Sequence, residues 1–149
     1  MDALRSEPNV PFSRGRSSGD ATRRTILLAD DEPAIVVLIA RVLRGAGFHV
    51  LTARDGREAV NVFRANESEV DLLVFDAMMP ELSGYRAMLE VRETHPDMPV
   101  VFCSGYSEEV ALDGRDLPPN SVMLAKPFHV HDLLESAERL IGTIRPSGR

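Results

Sequence analysis

Cysteine occurs once in this 149-residue chain, at Cys103, and lysine once, at Lys126. A single thiol excludes an internal disulfide framework and a multi-thiolate zinc site, and it suits a reducing compartment. Long hydrophobic runs are missing too. The longest, Ala34–Ala40, has seven residues, against about 20 for a membrane span. With Asp30, Asp31 and Glu32 just before it, that run cannot be the core of a signal peptide either. These absences lead us to expect a soluble cytoplasmic protein with no membrane contact.

What is present is enough for one domain: 44% of the residues are hydrophobic, and a chain of this length buries a core but has no room for a second. The net charge of −6 is unevenly spread. Residues 1–24 carry five arginines against Asp2, Glu7 and Asp20, so this stretch is +2 and the remainder −8. An acidic body argues against direct nucleic-acid binding. The leader is also rich in Ser, Gly and Pro, as in "PFSRGRSSGD", and reads as a disordered tail or linker. Its three acids count against a mitochondrial presequence.

From Thr25 onward, short apolar runs alternate with helical periodicity. Thr25–Ala29 reads as a buried strand, and Ile35, Leu38, Ile39, Val42, Leu43 and Ala46 follow at the spacing of one helix face. The cycle repeats with "FHVLTA" and a helix over 56–66, with Ala59, Val62 and Phe63 inward. It repeats again with "DLLVF" and a helix over 84–94, with Tyr85, Met88 and Leu89 inward. "PVVFC", a short helix in "SEEVALDG", "SVMLA" and a final amphipathic helix through Val130, Leu133, Leu134, Ala137, Leu140 and Ile144 complete the series. Five such units predict an α/β fold, a doubly wound parallel sheet with helices on both faces.

In such a sheet, ligands bind outside the carboxyl ends of the strands. Asp30 and Asp31 follow the first strand, Asp76 the third, Ser104 the fourth and Lys126 the fifth. Three clustered carboxylates raise one another's cost of ionising unless a cation compensates. Mg²⁺ suits the set, because it takes one or two carboxylates plus waters and phosphate oxygens. Asp31 and Asp76 then serve as ligands and Asp30 acts through a water. Lys126 supplies a second positive charge, the Ser104 hydroxyl a donor to a phosphoryl oxygen, and Asp76 the nucleophile.

Each residue also has a plainer explanation. Asp30 and Asp31 can cap the helix that starts at Pro33, Asp76 can be a solvated loop residue, and Ser104 before Gly105 an ordinary turn residue. Lys126 is harder to explain away: among sixteen arginines, one compact ammonium at a strand end suits a point contact to carboxylate or phosphoryl.

The pieces "ILLADDEP", "DLLVFDAMMPELSG", "VVFCSGYSEE" and "LAKPF" together resemble a two-component response-regulator receiver domain. The resemblance covers about residues 25–144, leaving residues 1–24 and 145–149 as tails. It implies flavodoxin-like strand order 2-1-3-4-5 and a phosphorelay role, with Asp76 accepting a phosphoryl group from a sensor histidine kinase or phosphotransfer protein. It further implies Mg²⁺ held by Asp31, Asp76 and the backbone carbonyl of Met78, with Asp30 acting through a water. Lys126 is implied to pair first with Asp76 and then with the phosphoryl group. The Lys126–Pro127 bond is usually cis in this family, which proline permits by narrowing the trans preference to about 0.5–1 kcal/mol.

Such a domain switches a protein-interaction surface rather than turning over a substrate. A downstream protein partner and a monomer or weak homodimer are expected. One departure is Met123, where the family usually has Tyr or Phe; a thioether fills the space with more rotamers and no hydroxyl. Met78 and Tyr106 flank the expected path of an attacking water. His49, His95, His129 and His131 read as surface or core-edge residues, none of them a relay histidine.

Three rivals remain. A degenerate receiver can act as a phosphorylation-independent scaffold. A Mg²⁺-dependent phosphohydrolase of the haloacid-dehalogenase type needs Asp-x-Asp and a cap, where this chain has "ADDEP" and no long insertion. A flavin binder needs hydroxyls and amides in the first loop, which here is acidic.

Overall fold

A computed structural model describes residues 23–142 of the chain. The order is β1 (Thr25–Ala29), α1 (Pro33–Gly45), β2 (His49–Ala53), α2 (Gly56–Ala65), β3 (Val70–Asp76), α3 (Gly84–Arg92), β4 (Val100–Ser104), α4 (Glu108–Ala111), β5 (Ser121–Ala125) and α5 (Val130–Ile141). The strands form one sheet in the order β2-β1-β3-β4-β5, and every pairing is parallel. This is the expected doubly wound, flavodoxin-like sheet. The leader over 1–22, Ile144 and the tail over 145–149 lie outside the described residues.

Strands that are buried on both faces need apolar side chains throughout. Ile26, Leu27, Leu28, Leu72, Leu73, Val74 and Phe75 meet that need and are almost fully buried. Alternate residues serve opposite layers. Leu27, Leu73 and Phe75 pack with Ala59, Phe63, Met88 and Val91 from α2 and α3, while Ile26, Leu28 and Val74 pack with Ile39, Leu43, Leu133 and Ala137 from α1 and α5.

Three apolar-face assignments are corrected, the first being Val130, which is exposed at the start of α5. Leu38 is exposed, and Ala40 is buried in its place. The unbroken apolar run over 34–40 gives α1 no polar face to orient it, and the sheet favours the stripe that puts a small residue at the closest approach. Leu89 is likewise exposed, because α3 turns Gly84, Ala87, Met88 and Val91 inward, which is the i, i+3, i+4, i+7 stripe.

Three helices, α2, α3 and α4, start at the carboxyl edge of the sheet with side-chain caps that satisfy free N–H groups. Asp55 accepts from Glu58 N at 2.8 Å, Ser83 from Arg86 N at 3.2 Å and Ser107 from Val110 N at 3.3 Å. At the opposite edge, the Arg92 guanidinium donates to the carbonyls of Met98 at 2.8 Å and Pro119 at 2.9 Å. This ties α3 to the segments that enter β4 and β5.

Candidate functional site

Parallel strands deliver the predicted residues to one edge. Asp30 follows β1 directly, Asp76 ends β3, Ser104 ends β4 and Lys126 follows β5. Asp30 is 3% exposed, Asp76 9% and Ser104 1%, while Asp31 is open to solvent. One carboxylate oxygen from each of Asp30, Asp31 and Asp76 lies within 4.8 Å of the others. That is close to the roughly 4 Å between opposite oxygens around one small hard cation.

Lys126 sits between two of these acids. Its Nζ donates to Asp30 Oδ2 at 3.1 Å and to Asp76 Oδ2 at 3.4 Å. The pairing with Asp76 expected from the sequence is therefore shared with Asp30, which is the nearer partner. The other oxygens are also engaged: Asp30 Oδ1 accepts from Glu32 N at 2.9 Å, and Asp76 Oδ1 from Met78 N at 3.2 Å. The plainer reading of Asp30 and Asp31 as helix caps does not hold, since α1 has no side-chain cap; the Asp30 carboxylate turns the chain just before the helix, at Glu32 N, while it also holds the lysine. The Lys126–Pro127 bond is cis, as expected.

Charge decides what this edge lacks. Three carboxylates and one ammonium leave a formal −2 in a half-buried site, which a single divalent cation would balance. Burial pushes the Asp76 carboxyl above its ordinary range, and the Asp30 charge adds to this; the Met78 N–H and Lys126 only partly offset them. Burial also opposes the charged form of Lys126, but its hydrogen bond to Asp30 and the charges of Asp76 and Asp30 outweigh this, so its pKa is raised. The donor set is all oxygen and anionic, which fits a hard cation such as Mg²⁺.

The Ser104 hydroxyl is occupied within its own loop. It accepts from Tyr106 N at 2.9 Å and donates to Tyr106 O at 3.3 Å. To reach a group on Asp76 it must release that turn. Tyr106 and Met78 are 60% and 43% exposed at the rim. Met123 pairs with Phe102 across the sheet and packs, partly buried, against the core.

A close approach at the next loop escaped the sequence reading. A Cβ added at Gly84 would lie 2.4 Å from the Asp76 carbonyl oxygen, so α3 begins hard against the backbone of Asp76. The only signal in sequence was a glycine at the first position of a helix, where longer side chains are ordinarily welcome. His95 and His49 are half-buried and His129 and His131 exposed; none of them is among the residues that gather at this edge.

The chain matches the family of response regulator receiver domains over residues 26–138. It is 36% identical over 126 residues to the sensor kinase CckA of Brucella abortus, which covers 83% of this chain but 13% of that protein. It is 30% identical over 118 residues to the response regulator receiver protein CpdR of the same organism, covering 79% of this chain and 97% of that one. The chain therefore spans a small fraction of one relative and nearly all of the other. Among solved structures, it resembles the receiver domain of a sensor histidine kinase from Pseudomonas aeruginosa with a magnesium ion coordinated in the active-site cleft. The TM-score is 0.69 at 28% identity, over 81% of this chain and 99% of that one.

Proposed function

The chain belongs to the response regulator receiver family of two-component systems, and from that premise we propose that Asp76 is its phosphoacceptor. The donor is a phosphohistidine on a sensor histidine kinase or phosphotransfer protein. A carboxylate oxygen of Asp76 attacks phosphorus, the phosphorus–nitrogen bond breaks, and the imidazole leaves with the bonding pair and takes up a proton. Asp31, Asp76 and the Met78 carbonyl would hold Mg²⁺, with Asp30 acting through a water. When bound, the ion neutralises phosphoryl oxygens, a role open to divalent metals in phosphoryl transfer generally.

The rest falls to the chain's own side chains. Lys126 leaves Asp76, stays with Asp30 and turns its ammonium to the incoming phosphoryl. Ser104 releases the Tyr106 backbone and donates its hydroxyl to a phosphoryl oxygen. Because that hydroxyl must leave a turn it now closes, the loop after β4 shifts between two arrangements as the charge on Asp76 changes. The shifted surface is read by a downstream protein. The domain acts in the cytoplasm without direct contact to nucleic acid or membrane, as a monomer or weak homodimer; among the described residues no helix is long and apolar enough to cross a membrane.

The single observation that carries this reading is the shared lysine. An ammonium 3.1 Å from Asp30 and 3.4 Å from Asp76, with Asp31 unpaired by it, leaves a deficit of positive charge where a phosphoryl group would sit. The test is intact-mass analysis after incubation with acetyl phosphate, with and without Mg²⁺, on the wild type and on Asp76→Asn. One Mg²⁺-dependent phosphoryl adduct, absent from the variant, is expected. An adduct that persists in Asp76→Asn moves the acceptor elsewhere, and no adduct even from a phosphorylated kinase leaves a scaffold.

A further inference from the structure

The loop that joins β3 to α3, residues 77–83, carries the Met78 carbonyl, and its far wall is the first residue of α2. A Cβ added at Gly56 would lie 1.9 Å from the carbonyl oxygen of Leu82, 2.7 Å from its carbonyl carbon and 2.7 Å from its Cβ. Real side chains do not tolerate such separations, and the nearest atom is backbone. Gly56 has no positive φ, so what it provides is space. By contrast, a Cβ at Gly45 or Gly105 meets nothing within 4 Å.

We infer that Gly56 is a positioning residue for the cation site, acting through this loop; the inference rests on the reading of Asp31, Asp76 and Met78 as the metal ligands. If Gly56 and Leu82 are forced apart, one of the two must move. Helix α2 is the stiffer body. Asp55 caps it, Ala59, Val60 and Phe63 anchor it in the core, and Arg57 makes paired hydrogen bonds to Glu90 of α3 at 3.0 and 3.1 Å.

The loop has less to hold it: within residues 78–81 only Met79 is packed into the core. Met78, Pro80 and Glu81 are exposed, and Glu81 sits at φ 69°, a conformation that side chains disfavour. Its two ends cannot absorb a shift. Gly84 N donates to Ala77 O at 3.0 Å, and Gly84 is itself pressed against the Asp76 carbonyl. A displacement of Leu82 is therefore passed to residues 78–81, which contain both the proposed carbonyl ligand and the Met78 N–H that holds Asp76 Oδ1.

Isothermal titration with MgCl₂ tests this on the wild type, Gly56→Ala and the control Gly45→Ala, with far-ultraviolet circular dichroism to establish folding. Residues that orient metal ligands typically change metal affinity by about 10–100-fold, and we expect a loss of about tenfold in Gly56→Ala with none in Gly45→Ala. A folded Gly56→Ala that binds Mg²⁺ like the wild type overturns the inference, whatever its melting temperature. Should that variant not fold, Leu82→Gly removes the Leu82 Cβ from this approach and loosens the loop backbone while leaving α2 intact, and unchanged affinity there overturns it equally. Failure of the wild type and Gly45→Ala to bind Mg²⁺ at all defeats the metal reading instead, so the two failures are distinguishable.

Discussion

The two halves of the sheet that supply the site are built differently. β1 and β3 carry Asp30 and Asp76 at the ends of strands buried almost throughout, covered by helices of nine residues or more. β5, which leads to Lys126, is only half-buried along its length, and the helix before it, α4, has four residues. The stretch after α4 is fastened from outside, by Arg115 over the Tyr85 ring at 5.1 Å and by Arg92 on the carbonyl of Pro119. Under the proposed function, the acids that would share one ion stand on the more deeply buried half, and the groups proposed to move stand on or beside the thinly covered one.

The comparison can be broken most directly by cutting into each half. Phe75→Ala, at a fully buried position of β3, is expected to cost about 3–5 kcal/mol in equilibrium denaturation. Met123→Ala, partly buried in β5, should cost less than about 2 kcal/mol. Equal losses would mean that β5 is held as firmly as β3, and the division would fail.

Next in size is the lysine that bridges the halves. Lys126→Met keeps the stem and removes the ammonium, leaving Asp30 and Asp76 without it, and should cost about 1–3 kcal/mol at neutral pH in chelator. The pH dependence has a definite sign. Burial raises Asp76 in the folded state, so its favourable contribution is complete below its unfolded value of about 3.9 and is lost as pH rises through the folded value. Ionised Asp76 is thus a net burden on the metal-free protein at neutral pH. The gap between wild type and Lys126→Met should close as the solution is acidified, and Asp76→Asn should melt a few degrees higher than the wild type at pH 7 and gain less at pH 4. Lys126, raised in the folded state, contributes below its unfolded value of about 10.4, and this is lost only as pH rises through the folded value. Melting curves across pH with and without Mg²⁺ check all of these.

What the sequence discloses follows the same division. The buried strands announce themselves as "TILLA" and "DLLVF", since a strand buried on both faces admits little but apolar residues. Asp30 and Asp76 stand out because four apolar residues directly precede each. Lys126 was legible by its rarity. The contacts that need three dimensions were not: the Asp30 share of the lysine, the Ser104 hydroxyl closed on Tyr106, and Gly56 against Leu82. The first and the last join elements whose separation is set by packing rather than by local pattern; the second is a local turn, in keeping with the plainer reading of Ser104, whose hydroxyl partner the sequence does not name. The same limit explains Leu38, because a helix that is apolar nearly all round carries no record of which stripe the sheet will take.

The smallest expected effect concerns the lifetime of a phosphorylated Asp76. Met78 and Tyr106 stand at the rim on opposite halves, and we expect replacement of both by Ala to speed loss of the phosphoryl group several-fold, measured as decay of the adduct by intact mass. An unchanged decay rate would remove them from the path of the attacking water. The single variants sharpen the comparison further. Met78 donates its backbone N–H to Asp76 Oδ1, so its backbone is tied directly to the proposed acceptor. Under the proposed switch, Tyr106 loses both of its backbone hydrogen bonds to Ser104 when that hydroxyl turns away, so its backbone is released. A larger acceleration in Tyr106→Ala would mean that the movable half sets how long the signal lasts. A larger one in Met78→Ala would put the timer on the rigid half, beside the acids, and leave the movable half to report the signal without limiting it.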